Sequence, residues 1–155
     1  MAKKKTLSLE KRFAVLELLF HFMRTFDEKD WAGMEACLTQ MVYCDYSSFR
    51  GEPPAMVARE NYSAKRKAAL SALITQHNLS NITMAPKGKS IDVQCNFTIL
   101  RFQPDFKEEK GDYFHSYGRY QFTVVRRGPI WHITSITQHI LRNEGNPQLH
   151  IGAGK

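Results

Sequence analysis

The sequence predicts an α+β fold in which helices come first and a run of long antiparallel strands follows. Two periodicities carry that reading. In the first quarter Leu9, Phe13, Leu16, Phe20 and Met23 recur at helical spacing. In the second half apolar and polar residues alternate over long stretches separated by turn signals. The chain has 155 residues, 43% apolar and 24% charged, enough for one domain with a real core. We therefore expect a single domain over 1–155, its core at about 8–142, with a basic leading tail and a loose trailing one.

The elements follow in order. Residues of about 7–26 form an amphipathic helix, and Phe22 and Phe26 widen its apolar face so far that more than one side must be buried. Asp30 caps a short helix over "WAGMEACL". In "QMVYCDYSSF" Val42, Cys44 and Tyr46 alternate with Tyr43 and Asp45, the mark of a short strand. "RGEPP" is a turn, with Pro54 suited to the first turn of a helix over "AMVARENYSAKRKAALSAL". That helix turns Met56, Ala69, Leu70 and Leu73 inward. Four strands close the chain: "QHNLSNITM", "SIDVQCNFTILRF", "DYFHSYGRYQFTVV" and "PIWHITSITQHIL". "APKGKS" and "RRGP" are turns between them, and "QPDFKEEKG" is a longer loop. The tail from Arg142 is poor in apolar residues. Helices followed by a meander bury one sheet face. A strongly curved sheet wrapped around the long helix is cone-shaped and leaves a concave mouth, a natural small-molecule site.

Composition narrows the function. No apolar run approaches the roughly 18 residues of a membrane span, and the apolar segment after "MAKKK" carries Glu17 and His21. It reads as a helix rather than a signal. Cys37, Cys44 and Cys95 form no metal-binding pair, which suits a reduced, cytoplasmic setting without a metal. The formal charge is +7, much of it in Lys3, Lys4, Lys5, Lys11 and Arg12 and in Lys65, Arg66 and Lys67. These read as a solvated tail and the wet face of a helix. The aromatics keep core-like periods instead of interleaving with the lysines, which points away from nucleic acid.

One stretch breaks the pattern. In "LITQHNLSNITM" the polar Gln76, His77 and Asn78 stand together at the start of a strand. With "FDEKDWAGMEACL", "VYCDYSSFRGEPPA" and "HSYGRYQFTVVRRGPIWHI" in the same order, it resembles the SnoaL-like branch of the nuclear-transport-factor-like superfamily. The scytalone dehydratases look nearest in pattern, over about residues 12–142. The resemblance implies a cystatin-like α+β barrel with an apolar pocket, a dimer or trimer, and no metal or organic cofactor. It implies a small hydrophobic or aromatic carbonyl ligand.

Carried over residue by residue, the resemblance makes His77 an acid/base, oriented by Asp27, and Tyr46 a carbonyl polariser. Phe49 and Ser116 become pocket residues in the same way, and Phe26 and Ile136 are expected as further ligand contacts. Asp45 is either a further ligand contact or an acceptor for the amides of "SSFRG", because on a regular strand it faces away from Tyr46. His115 and Ser116 face apart in the same way, and the resemblance turns Ser116 inward. Trp31 and Trp131 read as packing residues, and His21 as a core histidine. His132, His139 and His150 receive no role.

The sequence departs from the dehydratases at Phe26, where they have Tyr, and at Gly118, where they have Asn. "TILRFQPDF" lacks their second histidine. The expected activity is thus a cofactor-independent dehydratase or isomerase acting on a cyclic or polyketide-like carbonyl compound, other than scytalone. The alternative is a non-catalytic module of the same fold that binds a ligand or a protein.

Overall fold

In the computed structural model, which describes residues 6–106 and 111–150, Ser8 opens the first helix by accepting the Lys11 amide. That helix, α1, runs Leu9–Glu28, about 30 Å at the usual rise per residue. Lys29 ends it in the left-handed region at φ 59°, a conformation costly for a residue with a Cβ. Its ammonium donates to Phe26 O (3.1 Å) and to Thr75 Oγ1 (2.9 Å). The strained cap thereby ties the end of α1 to the start of a distant strand.

The remaining elements are α2 (Trp31–Ala36), β1 (Leu38–Asp45), α3 (Ser47–Arg50), β2 (Ala55–Ala58), α4 (Arg59–Leu70), β3 (Ile74–Lys87), β4 (Ser90–Phe102), β5 (Phe114–Arg127) and β6 (Ile130–Gly145), followed by a 3-10 turn at Pro147–Leu149. The strands form one curved, unclosed sheet in the order β2-β1-β6-β5-β4-β3. β3 to β6 are the expected meander, and β1 joins β6 in parallel. Gly88 and Gly128, both at φ 60°, stand first in the two-residue turns before β4 and β6, where such hairpins favour glycine. No described helix is long and apolar enough to cross a membrane.

The alternation read from sequence sets the core. On β4 Ile91, Val93, Cys95, Phe97 and Ile99 are buried, and Phe114, Tyr120, Phe122 and Val124 face them from β5. Val15, Leu19, Phe22, Met23 and Phe26 of α1 complete the layer. Trp31 and Trp131 pack against it from its edges.

Several expectations are corrected. The buried stripe of α1 is rotated from the predicted one: Leu9, Phe13 and Phe20 lie on the surface. Both stripes have helical spacing, and only the sheet decides between them. His21 is exposed for the same reason. "YSSF" leaves the strand and turns into α3. "AMVA" is a strand rather than the start of a helix, because Ala55–Ala58 pairs with the free edge of β1; Met56 is exposed as a result. The trailing segment is anchored as far as it is described, with Asn146, Leu149 and His150 buried. The lysines at 3–5 and the segment 107–110 lie outside the described residues.

Gly118 stands at a register shift where Leu141 is the extra residue on β6. A Cβ there would stand 2.1 Å from His139 O and 2.7 Å from the Phe97 ring. Backbone cannot yield as a flexible side chain can, so Gly118→Ala is expected to lower unfolding free energy by about 1–3 kcal/mol. Urea unfolding measures this directly, and an unchanged midpoint would contradict the close approach.

Candidate functional site

The end of α1 places Asp27 beside β3, and the carboxylate makes three contacts there. Oδ1 accepts from His77 Nδ1 (2.6 Å) and from Thr75 Oγ1 (3.1 Å). Oδ2 accepts the His77 amide (2.9 Å). Thr75 has a single hydroxyl proton. It accepts from Lys29 and donates to Asp27 in preference to the more distant Phe26 O at 3.4 Å. A carboxylate can only accept, so His77 carries its proton on Nδ1. Nε2 is then the basic nitrogen, and it has no hydrogen-bond partner among the described residues. The ring lies against Phe26, centroids 4.6 Å apart.

The His77 side chain is only 3% exposed. Burial holds its pKa below the ordinary 6.5, with Asp27 opposing and Arg101 and Lys29 adding to the fall. The imidazole is therefore a neutral base at neutral pH. As pH falls below 6.5 the unfolded chain takes this proton first. The stability contributed by neutral His77 is complete above that pH and declines below it.

His77 is a wall between two spaces. Outside, Asp27, Gln76 and Asn78 line an open groove with it. Inside lies a narrow cavity of about 20 Å³, bounded by Phe26, Tyr46, Phe49 and Ile99. Arg50, Arg66, Arg101, Gln138 and His150 supply its polar lining. A second pocket of about 130 Å³ adjoins it, sharing Tyr46, Arg50 and Arg66 and lined also by Glu52 and Lys65.

Tyr46 Oη lies 2.7 Å from Tyr62 Oη. The Arg66 guanidinium covers both rings, at 4.4 and 4.1 Å from their centroids. Burial keeps the Tyr62 phenol well above its ordinary pKa, so it remains a proton donor. Cys44 also lines the outer pocket, but burial pushes its thiol up to about 11, so it stays protonated and is a poor nucleophile. Among the described residues no cluster of His, Cys, Asp or Glu is arranged to hold a metal ion.

The structure thus brings His77, Tyr46, Phe26 and Phe49 together around one cavity, with Asp27 holding His77 from the groove outside it. Three other candidates fall outside its lining. Asp45 accepts from the amide (3.0 Å) and hydroxyl (2.7 Å) of Ser47, capping α3. Ile136 is fully buried in the core between Cys44 and Phe122. Ser116 points inward, yet its hydroxyl lies behind Arg101, accepting from Nη1 at 2.9 Å and donating to Asn143 Oδ1 at 2.7 Å.

Residues without a predicted role occupy the lining instead. Arg101 continues the inward row of β4 past Ile99, and alternation alone points to it. Arg66 shares the buried stripe of α4 with Tyr62, Ala69 and Leu70, so it does not belong to the solvated basic patch. His150 arrives by way of the 3-10 turn and packs edge-on against Phe49 at 5.1 Å.

Comparison with known proteins bears on the fold. Kfla4162 protein from Kribbella flavida superposes with a TM-score of 0.84 at 21% identity, covering 92% of this chain and 98% of that one. A candidate scytalone dehydratase from Novosphingobium aromaticivorans gives 0.76 at 15% identity, covering 89% of each chain. A hexachlorocyclohexane dehydrochlorinase (LinA type 2) gives 0.73 at 12% identity, over 92% of this chain and 93% of that one. At such identities the likeness shows the fold. A search of the curated proteins finds no significant match. The profile of the SnoaL-like domain matches residues 7–137, and the chain belongs to that family.

Proposed function

We propose that this SnoaL-like protein is a cofactor-independent lyase or isomerase that moves a proton on a cyclic carbonyl compound held where the adjoining pocket meets the interior cavity. The observation that carries the reading is the 2.6 Å contact between His77 Nδ1 and Asp27, which leaves a neutral Nε2 as base in a buried site. The dehydratase and dehydrochlorinase among the structural neighbours support a lyase-type reaction.

In this mechanism Nε2 takes a proton from the carbon next to the carbonyl. The electron pair moves onto the carbonyl oxygen, which receives a hydrogen bond from Tyr46. Tyr62 donates to Tyr46 in turn, so the two phenols act as a relay toward the developing negative charge. The imidazolium, stabilised by Asp27, then returns the proton to a departing hydroxyl or to another carbon. Loss of the hydroxyl gives dehydration, and return to carbon gives isomerisation. Asp27 touches no substrate and acts by positioning His77.

The test needs no knowledge of the natural substrate. Exchange of the α-protons of 2-tetralone in D₂O, followed by NMR, reports enolisation. His77→Gln is expected to slow it about 10²- to 10⁴-fold while circular dichroism stays native. Undiminished exchange in that variant would contradict the role of His77 and leave the non-catalytic binding module of the same fold as the better reading.

Asp27→Asn should act on both fold and chemistry. It removes the charge from an acceptor of three hydrogen bonds, a loss of roughly 1.5–3 kcal/mol. With that charge gone the His77 pKa falls further, because Asp27 is the group that raises it. The acidic limb of the exchange-versus-pH profile should therefore move to lower pH, and its maximum should drop. A profile that keeps both its midpoint and its height would show that Asp27 does not position the base.

A further inference from the structure

The cavity is unusual in its charge. Arg66 and Arg101 are 6% and 3% exposed, and Arg50 joins them from α3. None of the three is ion-paired among the described residues. The nearby acids are engaged elsewhere, Asp27 with His77 and Glu52 with Lys65 at 2.7 Å. A buried charge without a counter-charge is costly to keep.

Aromatic rings and neutral oxygens fix the guanidiniums without neutralising them. Arg101 lies 5.6 and 5.3 Å from the centroids of Phe49 and Phe114, and its Nη1 donates to Ser116 Oγ and Phe114 O. Yet the Nε atoms of Arg50 and Arg101 are buried with no acceptor. His150 Nδ1 and Gln138 Oε1, in the same lining, are likewise buried and unpartnered. These unpartnered groups share one small space with the Tyr46 ring and the His77 base.

We propose that the cavity, together with the pocket that shares Arg50 with it, takes a carboxylate-bearing substrate, a small keto or hydroxy acid whose carboxylate lies between Arg50 and Arg101. The guanidinium Nε atoms gain the acceptors they lack, and the charge of the ligand offsets the buried cations. Gln138 Oε1 can accept from a hydroxyl of the same molecule. The remaining carbons then lie toward Phe26 and His77. This assignment rests on the acid–base reading of the site and adds the class of substrate. His150, held neutral at a pKa pushed down to about 2 by burial and by Arg101, Arg50 and Arg66, reports the same positive potential.

The test is calorimetric titration of the full chain with benzoate, its neutral isostere benzamide, and inorganic phosphate. Benzoate should bind at least tenfold more tightly than benzamide. Arg50→Gln, at the half-buried edge of the cavity, should weaken benzoate at least tenfold with benzamide unaffected, and Arg101→Met should do the same if it folds. Equal affinity for benzoate and benzamide, no benzoate binding, or an unchanged affinity in Arg50→Gln would overturn the proposal. Phosphate binding in place of benzoate would also overturn it, by showing an anion site of another class. Benzoate binding without 2-tetralone exchange would remove the acid–base reading alone, and exchange without benzoate binding would remove this one alone.

Discussion

The carboxylate of Asp27 is the point on which the arrangement depends. It closes the end of α1 onto β3 through the His77 amide, the His77 ring and the Thr75 hydroxyl. Lys29 reinforces the junction from a left-handed cap. A helix and a strand whose contacting residues stand 50 apart in the sequence, about a third of the chain, are fixed to each other by polar contacts of a few ångströms. The same contacts decide where the imidazole points and which nitrogen holds its proton. Structure and chemistry therefore share one side chain here, so a change at Asp27 cannot affect one alone.

The interior is divided by polarity. The inward rows of β4, β5 and α1 pack a dry apolar layer whose burial drives folding. Where those rows reach the sheet's end, side chains of the same parity become polar: Ile99 gives way to Arg101 on β4, and Ser116 stands on β5 between Phe114 and Tyr120. The curvature of the sheet keeps these residues inside. Charged groups so placed reduce stability, and proteins commonly accept such a cost at functional sites. The aromatic shelves under Arg66 and Arg101 hold the planes of the guanidiniums while leaving their charge in force.

Much of this was legible in the residues. Strict alternation gave β4 its observed limits, Ser90–Phe102, and turn glycines placed the hairpins. Family resemblance, rather than periodicity, paired His77 with Asp27, since nothing local links residues so distant in sequence. Arg101 and Arg66 were also within reach. Each occupies the buried register of its own element, and only the habit of placing arginine on the surface hid them. His150 could not be found that way, because a short 3-10 turn, which has no periodic signature, folds it back onto Phe49. The stripe of α1 and the strand at Ala55–Ala58 were misread because tertiary partners chose between patterns that the sequence allows equally.

The most direct measurement of the central claim is ¹⁵N NMR of imidazole-labelled protein at pH 7.5, with the His77 signals assigned by their loss in the His77→Gln variant. The expected result is a neutral ring protonated on Nδ1, with that proton hydrogen-bonded to the Asp27 carboxylate. An Nε2-protonated ring, or an imidazolium at that pH, would leave Nε2 without a free lone pair and would contradict it.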